Sequence, residues 1–162
     1  MNLAPAESVV FVTTTCLDFV HVFRDPKLAN LMCASLLDDC LYYGAGLCAF
    51  VVMPHHIHLL CRLPETMSAE TFMERIKANA ARRIVPRLGP IAGEFDQQRG
   101  LNGRTMWMRS FRSIEITNDQ AFWLKVRYIH GNPVRAGLCE RPQDYPYGSG
   151  GFWAELWDEG RG

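Results

Sequence analysis

The densest chemistry in the sequence lies in Val52-Met53-Pro54-His55-His56-Ile57-His58-Leu59-Leu60. In an extended strand, residues two apart share a face, so His56 and His58 present their imidazoles side by side. Ile57, Leu59, Cys61 and Leu63 then point the other way, into a core. Two adjacent neutral imidazoles are good ligands for a divalent metal. They are equally at home as packed polar residues of a half-buried strand, and the spacing alone leaves both readings open.

A second cluster lies further along. At 100° per residue, Phe122, Val126, Ile129 and Pro133 fall on one narrow apolar stripe of a helix. Tyr128 and Asn132 stack at i and i+4 on one flank of that stripe, with Lys125 and Arg135 close to them. His130 falls on the opposite flank, outside any site built on Tyr128. By spacing alone, this is a surface tyrosine beside a polar helix end.

The elements that must position these residues follow from periodicity. Val, Phe and Thr fill residues 8–15, a first strand. Asp25-Pro26 supplies an N-cap and a first-turn proline for a helix carrying Leu28, Leu31, Met32, Leu36 and Cys40, with Gly44 as its stop. The continuous apolar run 47–53 predicts a central strand, and Pro54-His55 turns the chain into a third strand over 56–63. Ser68 caps a helix to about Ile84, with Phe72, Ile76 and Ala80 inward. Residues 86–104 carry six Gly and Pro and are expected to form a long loop that orders on a ligand or gates a site. A fourth strand is expected over 107–116, then a helix from Asn118 to about Asn132, limited by Pro133. The order β-α-β-β-α-β-α predicts an α+β fold: a ferredoxin-like or RRM-like antiparallel sheet with helices on one face and one additional C-terminal helix. The histidines would stand on the face left open.

Composition narrows the class. The 162 residues fit one domain spanning 1–162, with a core of about 8–138 and a C-terminal tail of about 139–162. No apolar run approaches a membrane span. Residues 1–12 have no basic residue ahead of their apolar stretch, and Glu7 interrupts it, which argues against a secretory signal. Six cysteines without a C-x-x-C pair read as free thiols in a cytoplasmic protein. The zero net charge conceals segregation: residues 62–135 carry thirteen basic and seven acidic side chains, net +6, while each flank is net −3. Fourteen of the 17 cations are Arg, suited to bidentate phosphate contacts. An anionic partner would be drawn to that middle segment.

Taken together these pieces resemble a known family. Met53-Pro54-His55-His56-Ile57-His58-Leu59-Leu60 is similar to the "MPNHVHLL" element of the IS200-like, or Y1, transposases. The run from Tyr128 through Asn132-Pro133 to Leu138 resembles their tyrosine helix, in the form typical of the REP-associated tyrosine transposase branch. Trp107-Met108-Arg109-Ser110-Phe111-Arg112 and Asp144-Tyr145-Pro146-Tyr147-Gly148-Ser149 also fall where that branch has similar segments, so the resemblance runs from Phe11 to Ser149. It implies an HUH endonuclease that cleaves and rejoins single-stranded DNA beside an imperfect, REP-like hairpin through a 5′-phosphotyrosine. Carried over by position, His56, His58 and Asn132 are the metal ligands, Tyr128 is the nucleophile, and the cofactor is Mg²⁺ or Mn²⁺. Relatives act as monomers or homodimers.

Three departures keep open a hairpin-binding protein with little or no cleavage. His55 replaces the usual Asn, Ser113 stands where relatives commonly have Asp or another polar residue, and the tail carries Glu155, Asp158 and Glu159. An RNA-binding RRM-like domain is disfavoured, because histidines occupy the face where such domains carry base-stacking aromatics. Expected DNA contacts are Arg75, Lys77, Arg82, Arg83, Arg109, Arg112, Lys125 and Arg135. If the +6 segment is the footprint, binding of a hairpin oligonucleotide weakens steeply with added salt, as counterion release requires. A flat salt response in a titration would reject it.

Overall fold

The computed structural model describes residues 8–95 and 106–153. Seven elements follow the expected order: β1 (Ser8–Thr15), α1 (Pro26–Tyr43), β2 (Gly46–Val52), β3 (His56–Leu63), α2 (Ala69–Ile84), β4 (Arg112–Ile116) and α3 (Asp119–Arg135). Each helix starts on the predicted cap: the side chains of Asp25, Ser68 and Asn118 accept from Lys27, Thr71 and Ala121 N–H. Gly44 closes α1 at φ 70°, a left-handed conformation that costs glycine nothing.

The strands form one antiparallel sheet in the order β2-β3-β1-β4, an α+β fold of the expected ferredoxin-like kind. Strand alternation divides the interior in two. Val10, Val12, Phe50, Val52, Ile57, Leu59, Cys61 and Leu63 pack on one face with α1 and α2. Val9, Phe11, Ala49, Val51 and Leu60 pack on the other with Phe122, Val126 and Ile129 of α3. The second face is therefore only partly open: α3 lies against β2 and β3. All six thiols are free, and among the described residues no helix is long and apolar enough to cross a membrane.

Four expectations are corrected. β2 is an edge strand, not a central one. Its unbroken apolar run reflects burial on both faces, against α1 and α3. Residues 85–95 are not an open loop. They form short 3₁₀ turns at Val85–Arg87 and Gly89–Glu94 that bury Leu88, Ile91 and Phe95, while 96–104 lie outside the described residues. The fourth strand is confined to Arg112–Ile116, and Trp107 pairs with Cys16 in an isolated bridge outside it. Finally, α3 runs through Pro133 to Arg135. Proline forfeits one N–H, a small loss so near a helix end, where carbonyls already lack helical donors. Ala136 and Leu138 N–H take the Asn132 and Pro133 carbonyls.

Residues 145–150 of the expected tail cover the outer edge of β2. Val52 N–H donates to the Tyr147 carbonyl (2.7 Å), Ser149 N–H to the Phe50 carbonyl (3.0 Å), and the Tyr145 hydroxyl to the Val52 carbonyl (2.6 Å). Phe50 N–H donates to Ser149 Oγ at 2.9 Å, and His130 Nε2 lies 2.7 Å from the same oxygen. This segment thus ties the sheet edge to α3. Glu155, Asp158 and Glu159 lie outside the described residues. Ser149→Ala, which strands a buried N–H, should lower the unfolding free energy by about 1–3 kcal/mol in urea titration.

Candidate active site

The β1–β3 register places Thr13 opposite His58, Thr15 opposite His56 and Phe11 opposite Leu60. The β1–β4 register continues two of these rows, Thr13 to Arg112 and Phe11 to Ile114. One face of the sheet therefore carries His58, Thr13 and Arg112 in a line across three strands, with His56 one step along. The His56 and His58 rings meet at 4.7 Å, nearly edge to face. His58 Nδ1 lies 2.7 Å from Thr13 Oγ1, and His56 Nδ1 lies 3.2 Å from His55 Nδ1. On each ring the nitrogen left over is Nε2.

α3 brings the second half. Its apolar stripe is buried as expected, and its flank carries Tyr128 over the histidines. The Tyr128 ring stands 5.4 Å from His58 and 5.9 Å from Phe11, edge-on to both, and remains 42% exposed. A pocket of about 540 Å³ is lined by Phe11, Thr13, His56, His58, Arg112, Ile114, Lys125, Tyr128 and Asn132. His130 is buried on the other flank, away from this pocket, as its helical angle requires.

Cations ring the phenol. Lys125 Nζ lies 4.4 Å from the centre of Phe11 and 5.5 Å from that of Tyr128, and the Arg135 guanidinium lies 4.7 Å from the Tyr128 ring. Arg135 reaches back along the helix to donate to the Tyr128 carbonyl at 2.7 Å. Gly131 permits this path, because a Cβ there would meet Arg135 Nη1 at 2.6 Å.

Burial, reinforced by neighbouring His55, pushes the His56 imidazole down to about 4. Burial, with His56, Arg135 and Lys125 adding repulsion, pushes His58 down to about 3. Both rings are therefore neutral at pH 7, as ligation requires. Among the described residues no three His, Cys, Asp or Glu side chains cluster as a metal-binding group. The donors that could hold a divalent cation are two imidazoles and the Asn132 amide oxygen, a mixed N/O set that leaves positions open.

The eight expected DNA-contact residues divide between two faces. Arg112, Lys125 and Arg135 stand at or beside the pocket. The four α2 residues lie in the opposite layer, where Arg75 stacks on Tyr43, Arg82 bonds Asn79, and Arg83 pairs with Asp38 at 3.2 Å. Lys77 is half-buried, donating to the Met108 and Arg109 carbonyls at 2.8 and 3.4 Å, so it anchors the segment before β4. The Arg109 side chain is exposed. Sequence reasoning missed Thr13, Phe11 and Gly131. The alternation of β1 places Phe11 and Thr13 on one face, but their meeting with His58 depends on a cross-strand register with no local signal.

Residues 13–132 match the family described as "Transposase IS200 like", a span holding the histidine pair, Tyr128 and Asn132. The chain is 31% identical over 133 residues to a Haemophilus influenzae protein named for the REP-associated tyrosine transposases, covering 82% of this chain and 69% of that one. The chain belongs to the IS200-like transposase family. Within it, the chain falls in the REP-associated tyrosine transposase branch. The fold agrees with that of a REP-associated tyrosine transposase solved bound to a REP hairpin: TM-score 0.69 and 18% identity, over 88% of this chain and 76% of that one. It also agrees with that of a Deinococcus radiodurans protein classed as a transposase: TM-score 0.57 and 20% identity, over 81% and 97%.

Burial also pushes His130 down to about 4. A histidine whose folded value is depressed binds its proton first in the unfolded chain, so the unfolded state gains as pH falls below about 6.5. Without metal, the Tm should be level above that value and fall progressively towards pH 4, with His58→Gln removing part of the slope. Equal melting curves for the two proteins across this range would contradict the assignment.

Proposed function

We propose that this chain is a metal-dependent single-stranded DNA endonuclease and transposase that cuts and rejoins DNA beside a REP-like hairpin, with Tyr128 as nucleophile. The observation that carries the reading is convergence: a half-exposed phenol, two neutral imidazoles and a side-chain amide line one pocket. Membership of a transposase family supports DNA as the substrate class, and a fold shared with a hairpin-bound protein agrees with it. A DNA substrate goes with cytoplasmic action.

The residues divide the work. His56, His58 and Asn132 would hold Mg²⁺ or Mn²⁺, which, when bound, offsets charge building on the non-bridging oxygens of a phosphodiester. Mn²⁺ suits two nitrogens and an oxygen better than Mg²⁺. Lys125, Arg112 and Arg135 draw the phosphate to the pocket and orient it. The Tyr128 oxygen attacks phosphorus as its proton leaves. The new P–O bond to tyrosine replaces the P–O3′ bond, and the departing 3′ oxygen takes up a proton. The products are a 5′-phosphotyrosine and a free 3′-OH. Because the linkage keeps the phosphodiester's bond energy, a second 3′ end can reverse the step without ATP. These side chains reach one pocket within a single chain, an arrangement compatible with action as a monomer or as a homodimer.

Incubation with a cognate hairpin oligonucleotide and Mn²⁺ should trap a covalent protein–DNA adduct on a denaturing gel. Tyr128→Phe should trap none, and His56→Ala should lose about 10²-fold or more in cleavage with little loss of hairpin affinity. Hairpin binding without cleavage by the wild type under several divalent metals, or an adduct in Tyr128→Phe equal to wild type, would overturn the proposal.

A further inference from the structure

A neutral imidazole has one proton and one lone pair, and the partner of one nitrogen decides which the other carries. His58 and His56 share an arrangement here: each engages a neighbour through Nδ1 and leaves Nε2 over. The neighbours differ in kind. Thr13 is the residue directly opposite His58 in the β1–β3 register, so its hydroxyl is held at 2.7 Å by the sheet itself. His55 sits in the β2–β3 turn, which Met53 N–H closes by donating to the His56 carbonyl at 2.8 Å. Its carbonyl accepts from Cys16 N–H at 2.7 Å, and its ring is flanked by His21 at 5.2 Å and the edge-on Phe19 at 5.8 Å.

We propose that Thr13 and His55 are positioning residues that hold His58 and His56 in the tautomer protonated at Nδ1, so that both Nε2 lone pairs face the cation site. Thr13 Oγ1 accepts from His58 Nδ1–H. Two facing Nδ1 atoms can share only one proton; His56 donates it and His55 accepts, keeping its own proton on Nε2. The opposite polarity in either pair would put a proton on the Nε2 of the ligand histidine and block ligation there. His55, one of the departures from the usual family pattern, thus takes over an acceptor role that an amide side chain can also fill. The use of these lone pairs rests on the metal-dependent reading above; the tautomers themselves do not.

The test uses the full-length, ¹⁵N-labelled, metal-free protein at neutral pH, with tautomers read from two-bond ¹H–¹⁵N imidazole correlations. Mn²⁺ affinity is measured separately from the free-ion electron paramagnetic resonance signal. In the wild type, His56 and His58 should both be protonated at Nδ1. Thr13→Val should shift His58, and His55→Ala should shift His56, toward the other tautomer, each weakening Mn²⁺ binding about tenfold or more. Thr13→Ser and His55→Asn retain acceptors and should stay near wild type on both measures. An Nε2-protonated His56 or His58 in the wild type would overturn the proposal whatever the variants do. Wild-type uptake of Mn²⁺ with unchanged tautomers and affinities in Thr13→Val and His55→Ala would overturn it while leaving the metal-dependent reading intact. The stated tautomer shifts in a protein that takes up no Mn²⁺ would uphold the positioning roles and defeat the metal-dependent reading instead.

Discussion

The seating of α3 on the sheet sets the distance on which the site depends. Phe122, Val126 and Ile129 are buried against Val9, Phe11, Ala49, Val51 and Leu60, and each such side chain contributes about 1.5–3 kcal/mol by leaving water. Because a helix is rigid over a turn or two, fixing this stripe fixes its flank. Tyr128 and Asn132 have no freedom to approach or retreat except through their own side-chain rotations. The histidines are set just as firmly by the neighbouring strands, so two independently buried scaffolds meet at one pocket. Preorganisation of this kind lets charged and polar groups act on a transition state without rearranging at the moment of reaction.

The same seating explains why the sheet face is divided. α3 covers β2 and part of β3, leaving the His56–His58 end of β3 to form the wall of the pocket with β1 and β4. Phe11 lies at the boundary: it packs in the apolar layer under α3, stacks on His58 at 5.5 Å, and carries Lys125 over its ring. The histidines thus sit where the core gives way to the pocket, buried enough to be held neutral yet open on one side. The C-terminal segment supports this boundary from behind, since Ser149 joins the backbone of β2 to His130 on the far flank of α3.

Much of this was legible in the sequence, and the parts that were not share a physical cause. Period-two and helical patterns, with the caps at Asp25, Ser68 and Asn118, located the elements, because those signals are local. The H-x-H pair and the i, i+4 relation of Tyr128 and Asn132 are local for the same reason, and these four side chains line one pocket. What depends on partners distant in sequence could not be read. A run buried on two faces looks alike in a central strand and in an edge strand covered by a helix and a tail, so the edge position of β2 has no local signature. Thr13 opposite His58 is a matter of register. The local rule that proline stops a helix has little force at Pro133, because the helix ends within two residues of it. The role of Gly131 likewise depends on a side-chain path, that of Arg135, which the sequence pattern does not specify.

The proposed function requires Tyr128, His56 and His58, which line one pocket, to flank a single bound cation. Paramagnetic broadening by substoichiometric Mn²⁺ in a protein with labelled histidine and tyrosine rings measures this directly. The resonances of His56, His58 and Tyr128 should broaden first and together, well ahead of Tyr42 in the opposite layer. Broadening of the two histidines that leaves Tyr128 as sharp as Tyr42, or preferential broadening elsewhere, would contradict the account.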